Sequence, residues 1–259
     1  MSRIAIFSDV HGNLPALKTI LADLDVRKPD QVYCLGDLVD FAPWPNEVIE
    51  LLRSSRIPCI MGNHDERIAF DYPVIPLKKH SEDETRARIQ AVAHTRDTIT
   101  PGNKDFLSKL PQKIKLTFTQ QERELALLLV HGSTRSNEEY IYENHNEADL
   151  YDMMEQENAD VLVMGHTHQS YIRKIKAGEA IEKLALNCGS VGRSKEGESM
   201  ATYLLLDIGT TTLTVEIIKL PYPVEETADA IMTSGIPDFY ANFLLLQRQE
   251  WVIRNYHNT

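Results

Sequence analysis

The eight residues Val161 to His168, VLVMGHTH, run from four apolar side chains through a glycine to two histidines. A short, continuous apolar run of this kind is typical of a strand that is buried on both faces. Alternate residues of an extended chain face the same side, so both imidazoles can point into one crevice. The stretch therefore predicts a buried strand with two histidines at its carboxyl end.

Four other apolar segments end in the same way. They are RIAIF, QVYCLG, IPCIMG and ELALLLV, and each is expected to form a strand. The polar residues that follow these four segments are Asp9, His11, Asp37, Asp40, Asn63, His64, Asp65 and His131. Open α/β sheets place their ligand crevice at the carboxyl ends of the strands, so these side chains are expected to converge.

Carboxylate, imidazole and amide oxygen together form a ligand set for divalent transition metals. These residues are too many for one tetrahedral ion, so the pattern predicts two ions, roughly 3.5–4 Å apart, with a bridging carboxylate. Such a centre binds phosphate, lowers the pKa of a bridging water and stabilises displacement at phosphorus. It would also supply local positive charge in a chain whose formal net charge is −11.

The rest of the chain indicates a single α/β domain over residues 1–259. Strands alternate with helices in the first part, which favours a parallel sheet, and the strands after His168 are predicted to be antiparallel. A helical insertion is expected at about 81–110, broken at Pro101-Gly102, in a position to cap the crevice. Two C-terminal helices are expected at about 224–256, packed on the domain or on a second subunit of a homo-oligomer.

Composition narrows the classes of partner. The negative net charge argues against binding to nucleic acid or to an anionic membrane surface. Three cysteines without close spacing give no disulfide framework, and no segment approaches the length of a membrane span. A cytoplasmic location is therefore expected.

Five motifs stand in a fixed order: D-x-H, G-D-x-x-D, G-N-H-D, H-G and G-H-x-H. Together they resemble the calcineurin-like metallophosphoesterase superfamily. The segment NCGSVG, residues 187–192, is similar to the NPGSVG turn of its small bacterial and archaeal phosphodiesterase-type members. The resemblance implies a four-layer α/β-β/α sandwich of two mixed sheets.

The resemblance also implies roles for individual residues, with two divalent ions bridged by Asp37. The ligands implied for one ion are Asp9, His11 and His168. Those implied for the other are Asn63, His131 and His166. His64 would lie beside the phosphate as a general acid or charge stabiliser, and Asp40 would orient its imidazole.

The sequence departs from the protein Ser/Thr phosphatases of this superfamily at two positions. Those enzymes have an arginine after the second aspartate and another before G-N-H, whereas this chain has Phe41 and Met61. Arg135 and Arg193 are candidates for contacting substrate phosphate instead. Trp44 is a candidate for stacking on a base, with packing against the neighbouring prolines as the alternative.

The resulting hypothesis is a dinuclear metal-dependent phosphoesterase. A metal-bridging hydroxide would cleave a phosphodiester, phosphoanhydride or phosphomonoester bond of a small, nucleotide-like substrate. Manganese is the preferred ion because oxygen ligands suit a harder metal, with Fe, Zn, Ni and Co as alternatives. The competing hypotheses are a Ser/Thr protein phosphatase and a non-catalytic scaffold of the same fold.

Overall fold

Alternate residues of the first strand, β1 (Ser2–Phe7), face two different hydrophobic clusters. In the computed structural model, which describes residues 1–76, 81–121, 123–177 and 181–256, Ile4 and Ile6 lie in one cluster and Ala5 and Phe7 in the other. All four side chains are completely buried. Because successive side chains of a strand point to opposite faces, β1 must be covered on both sides.

The first sheet contains four strands. Besides β1 it consists of β2 (Gln31–Cys34), β8 (Met200–Ile208) and β9 (Leu213–Pro221). Their order is β2-β1-β8-β9, and β1 is parallel to β2 and antiparallel to β8. The sheet therefore joins strands from the beginning of the chain to strands from beyond residue 200.

The second sheet is built from one continuous part of the chain. Its strands are β3 (Lys113–Gln120), β4 (Arg123–Val130), β5 (Val161–Met164), β6 (Tyr171–Ala177) and β7 (Ile181–Asn187). Their order is β3-β4-β5-β7-β6, with β5 parallel to both of its neighbours. The strand predicted from VLVMG thus lies at the centre of this sheet, and all four of its residues are buried.

The two sheets pack face to face, and helices cover their outer faces. Apolar side chains of β1, β8, β4 and β5 share the cluster between the sheets. The helices are α1 (Leu14–Arg27), α2 (Pro45–Ser54), α3 (Asn63–Ala69), α4 (Glu82–Thr98), α5 (Pro101–Ser108), α6 (Glu147–Gln156), α7 (Val224–Met232) and α8 (Asp238–Tyr256). Helix α6 packs on the second sheet, and the others cover the first. The predicted four-layer sandwich of two mixed sheets is confirmed.

The segment IPCIMG does not form the strand that its apolar residues predict. It meets β2 at one bridge, between Cys34 and Cys59, and then leaves the sheet. The reason lies in the backbone: Pro58 has no N–H to donate to a ladder, and the N–H of Met61 donates to the carbonyl of Pro111. The segment still delivers Asn63, because α3 begins at that residue.

Helices lie in both of the regions for which the sequence predicts them. Helix α5 begins at Pro101 after Thr100, whose side chain accepts a hydrogen bond from the N–H of Asn103. In α8, Tyr240 and Leu244 belong to the cluster that covers the first sheet. The division into a domain with an insertion stays a prediction. Within the described ranges, no helix combines the length and apolar character that crossing a bilayer requires.

Gly36, two residues after the end of β2, is required by a close approach of two backbone segments. Its φ is 92°, and a Cβ atom there would lie 2.3 Å from the amide nitrogen of Gly62. We expect Gly36→Ala to lower the free energy of unfolding by about 2 kcal/mol or more, since it adds left-handed strain to a backbone clash. Urea unfolding would measure this.

The matched control is Gly102→Ala in α5. A Cβ atom at Gly102 meets no atom within 4 Å, and alanine favours a helix. We expect a stability change between zero and a gain of about 1 kcal/mol. Equal effects of the two substitutions would contradict the close approach at Gly36.

Candidate metal centre

The polar residues at the strand ends converge on one buried site between the two sheets. Loops after β1 and β2 bring Asp9, His11 and Asp37, and loops after β4 and β5 bring His131, His166 and His168. The six side chains form two groups, and within each group the candidate ligand atoms lie within 4.8 Å of one another. The first group is Asp9, His11 and His168, and the second is Asp37, His131 and His166.

In the first group, two imidazole nitrogens with lone pairs face each other. His11 Nε2 lies 3.1 Å from His168 Nε2. The Nδ1 atoms of both rings bond to backbone carbonyls, at 3.1 Å to Val39 and 2.6 Å to Arg193, so each Nδ1 carries the proton. Two facing lone pairs repel unless a cation lies between them, and Asp9 Oδ1, 3.1 Å from His168 Nε2, completes the donor set.

In the second group, a hydrogen bond to a backbone carbonyl also orients His131. Its Nδ1 atom bonds to the carbonyl of Leu35 at 2.8 Å, which directs Nε2 towards Asp37 Oδ2 at 3.3 Å and Asn63 Oδ1 at 3.2 Å. Asp37 Oδ2 also lies 3.7 Å from His11 Nε2 in the first group. One carboxylate oxygen therefore stands between the two groups.

Unpartnered polar atoms show that this arrangement fits metal ions. Asp9 Oδ1 and His166 Nε2 are buried and have no hydrogen-bond partner among the described residues. Leaving such groups unpaired costs free energy, and a coordinated cation removes that cost. Imidazole nitrogens combined with carboxylate and amide oxygens suit divalent transition ions.

Burial and neighbouring charge set the protonation of these groups. Burial lowers the pKa of His168 to about 3, helped by the charge of Lys195, so this imidazole is neutral as a ligand must be. For His131 burial acts in the same direction, but the charge of Asp37 outweighs it and raises the pKa to about 9. The proton that this raised pKa keeps on His131 must leave when the imidazole becomes a ligand, which couples metal affinity to pH.

The backbone around the centre is strained. Among the described residues, seven of the twelve non-glycine residues with positive φ surround this site, with φ between 51° and 72°. They are Asp9, His11, Asp37, Asp40, Phe41, His166 and His168. A left-handed conformation costs roughly 1–2 kcal/mol per residue, and such outliers cluster where function requires a fixed geometry.

His64 lies next to both groups and is held by Asp40. His64 Nδ1 bonds to Asp40 Oδ2 at 2.6 Å, and the His64 N–H donates to Asp37 Oδ1 at 2.8 Å. The His64 ring packs edge-on against His11, with centroids 5.1 Å apart. Burial lowers the pKa of His64 to about 4, against the opposing charge of Asp37 and the hydrogen bond to Asp40.

Comparison with known families identifies the chain. The model of the calcineurin-like phosphoesterase superfamily domain matches residues 2–211. The chain belongs to the calcineurin-like phosphoesterase superfamily. It is a metal-dependent phosphoesterase, a hydrolase of phosphoric ester bonds, as the motifs predict.

Relatives of this phosphoesterase share almost its full length. An uncharacterized protein of Methanocaldococcus jannaschii is 26% identical over 95% of this chain and 99% of its own length. The crystal structure of a metallophosphoesterase from Sphaerobacter thermophilus is similar with a TM-score of 0.73 and 25% identity, over 95% of this chain and 99% of that one. A hypothetical protein from Pyrococcus horikoshii shares the fold, with a TM-score of 0.77 and 21% identity over 94% and 98% of the two chains.

The phosphoesterase has one positioning residue to which the sequence assigned no role. Asp65, the last residue of G-N-H-D, accepts hydrogen bonds from the N–H groups of Leu38 at 2.8 Å and Gly62 at 3.0 Å. It therefore ties the loop that carries Asp37 to the start of α3, which carries Asn63. Burial raises the pKa of Asp65 to about 8, and the charge of Asp37 adds to the effect.

A pocket of about 290 Å³ opens above the metal centre of the phosphoesterase. Its floor includes Asp37 and His64, and Arg193 lies in its wall as the sequence predicted. The other wall residues were not predicted: they are Glu84 and Arg88 of α4, Tyr140 and Tyr142 after β4, Lys195, and Tyr240 of α8. The adjacent pair Tyr140 and Tyr142, which follows a candidate ligand, was the local pattern that could have indicated them.

Two sequence-based candidates lie away from this pocket. The Arg135 guanidinium forms ion pairs with Glu139 and Asp149. Those carboxylates satisfy its hydrogen-bonding groups outside the pocket, so its position gives no support to the prediction that it contacts substrate phosphate. Trp44 precedes α2 and does not line the pocket, so its stacking role is not supported either.

Proposed function

We propose that this phosphoesterase is a dinuclear, manganese-dependent enzyme that hydrolyses a small, nucleotide-like phosphate ester or anhydride. The observation that carries the proposal is the position of Asp37. Its Oδ2 atom lies 3.3 Å from His131 Nε2 and 3.7 Å from His11 Nε2, so one carboxylate reaches both groups. A carboxylate shared in this way is what a pair of closely spaced ions requires.

Two ions held here would act as Lewis acids on the phosphate and provide a hydroxide at neutral pH. The ligands proposed for one are Asp9, His11 and His168. Those proposed for the other are Asn63, His131 and His166, with Asp37 between them. Manganese is preferred because one amide oxygen and two carboxylates make part of the donor set hard.

Residues of the chain would then supply the proton that the leaving group needs. The bond from His64 Nδ1 to Asp40 fixes the tautomer, which leaves Nε2 as the nitrogen that can exchange a proton. His64 lines the pocket floor, so this nitrogen is available to a substrate bound there. We assign His64 the role of general acid to the leaving oxygen, for which the negative charge of a bound phosphate has to raise its pKa from about 4, and Asp40 the role of orienting it.

The pocket supports a small substrate with a planar group. A volume of about 290 Å³ is at the lower end of the range for small-molecule sites. Tyr140 and Tyr142 stack with an interplanar angle of 10°, and Tyr140 lies 4.0 Å from the ring of the candidate ligand His166. Aromatic faces this close to the phosphate site can receive a nucleobase.

Hydrolysis of simple aryl esters tests the proposal. The protein, first stripped of metal and then reloaded with Mn²⁺, would be assayed on bis(p-nitrophenyl) phosphate and on p-nitrophenyl phosphate. We expect reloading to raise turnover of at least one ester by roughly 100-fold or more, because the metal supplies both the nucleophile and charge stabilisation.

The ratio of the two rates then gives the preference for diester or monoester. If neither ester nor a panel of nucleotides is turned over at full metal occupancy, the proposal is wrong and a non-catalytic scaffold replaces it.

A further inference from the structure

The Arg193 guanidinium is held by three aromatic rings instead of by a carboxylate. Its central carbon lies 4.6 Å from the ring centroid of Phe41, 4.7 Å from that of Phe243 and 5.4 Å from that of Tyr240. Rings from the loop after β2 and from α8 thus fix the position of this cation. Its Nε atom is buried and has no hydrogen-bond partner in the part of the chain that the structure describes.

Arg88 of α4 brings a second cation to the same pocket wall. The residue is 8% exposed, and its Nη1 donates to the carbonyl of Ile75 at 3.0 Å. Across the described residues, no carboxylate oxygen lies within 4.0 Å of either guanidinium. Burial lowers the pKa of both arginines. Nearby positive charge lowers it further, from Arg67 for Arg88 and from Arg88 for Arg193.

Two like charges that line one pocket repel each other, and Arg88 is buried whereas Arg193 is only partly exposed. This cost is removed when an oppositely charged ligand binds between the two groups. Glu84 also lines the pocket, and its negative charge raises the pKa of Arg193 and so offsets part of the positive charge there. The missing counter-charge is therefore expected to come from the substrate.

Phe41 lies between the Arg193 guanidinium and the metal centre. The Phe41 ring packs against His11 at 4.7 Å and against His64 at 4.8 Å, and Arg193 lies over the same ring. One ring thus separates the guanidinium from the reacting groups. Two phosphoryl groups joined through a single bridging atom span a short separation of this kind.

We propose that Arg88 and Arg193 form a second phosphate subsite, so that the preferred substrate carries another phosphoryl group next to the one that is cleaved. This rests on the proposed function and narrows it to phosphoanhydride-type substrates. Arg193 also links the two subsites, because its carbonyl accepts a hydrogen bond from the candidate ligand His168 at 2.6 Å. Phe41, where protein phosphatases have an arginine, serves as the surface on which Arg193 rests.

Two probes that cannot be hydrolysed test the subsite by calorimetric titration. Methylenediphosphonate and methylphosphonate differ by one phosphoryl group, and both would be titrated into manganese-loaded protein with the metal in excess over the probe. We expect the wild type to bind the diphosphonate roughly tenfold or more tightly than the monophosphonate, the effect of charge-assisted hydrogen bonds to guanidinium.

Substitution of each arginine should remove that preference. In Arg193→Met and Arg88→Met, the diphosphonate is expected to lose roughly tenfold in affinity and the monophosphonate less than about twofold. Arg193→Lys keeps the charge without the bidentate fork, so its affinity for the diphosphonate is expected to lie between those of the wild type and Arg193→Met. The matched control is Arg135→Met, which removes a guanidinium outside the pocket and should leave the preference unchanged.

Two results would overturn the subsite. Equal losses for both probes would place the arginines on the cleaved phosphate, and an unchanged preference in both variants would remove them from binding. If thermal unfolding shows that Arg193→Met does not fold, Arg88→Met decides alone. Turnover of both aryl esters and the nucleotide panel by the same wild-type preparation separates the cases, because the absence of all turnover counts against the proposed function and not against the arginines.

Discussion

Asp37→Asn is expected to abolish turnover and to reduce the manganese content from about two ions per chain. Asp37 Oδ2 faces both groups of candidate ligands, whereas Oδ1 accepts the N–H of His64. Asparagine keeps an oxygen for His64 and removes the negative charge that both ions would share. Loss of a shared ligand should exceed the roughly 10–100-fold cost of removing a residue that only supports a ligand.

Steady-state assays and metal analysis of the same preparation would measure both effects. The control is Asp160→Asn, an equally small change at a carboxylate that accepts the N–H of Ala126 in the second sheet. Asp160→Asn should leave rate and metal content near the wild-type values. A fully metallated, fully active Asp37→Asn protein would refute a shared ligand at this position.

His64→Asn is expected to lower kcat by roughly 10²–10⁴-fold for substrates with a poor leaving group. The reason is that a general acid matters most when the departing oxygen cannot carry a negative charge. For p-nitrophenyl esters, whose leaving group is stable as an anion, the loss should be much smaller. Asp40→Asn should show the same dependence on the leaving group with a smaller loss, since it disturbs only the orientation of His64.

To test this, kcat would be measured for a series of esters that differ only in the leaving group. The slope of log kcat against the pKa of the leaving group would then be compared between the variants and the wild type. His94→Asn is the control, because His94 of α4 does not line the pocket. If the His64→Asn and wild-type slopes are the same, His64 acts by stabilising charge and not by donating a proton.

The sequence was most informative where chemistry coincides with a short local pattern. An apolar strand that ends in D-x-H or H-x-H places ligands at a sheet edge, and five such segments with the right residue types can only meet in one crevice. That pattern predicts that Asp9, His131 and His168 lie together, as they do in the structure. It worked because the strand fixes both the direction and the end of each segment.

The pocket wall could not be predicted in the same way. Arg88 and Tyr240 lie on helices whose rotation is set by packing against the first sheet, and no short motif records that rotation. The prediction for Arg135 rests on its proximity to His131 in sequence, which does not imply proximity in space. Local charge partners, Glu139 and Asp149, held it elsewhere.

The division of the candidate ligands between two sheets has a consequence for synthesis on the ribosome. All five strands of the second sheet lie between residues 113 and 187, so that half, with His131 and His168, can assemble as soon as those residues emerge. The first sheet is completed later. Asp9 and His11 follow β1, and β1 gains its neighbour β8 only after residue 200 has been made. Domains generally fold as units during synthesis. In this chain β1 is completed by β8, so the site that both sheets build can form only after residue 200 has been made.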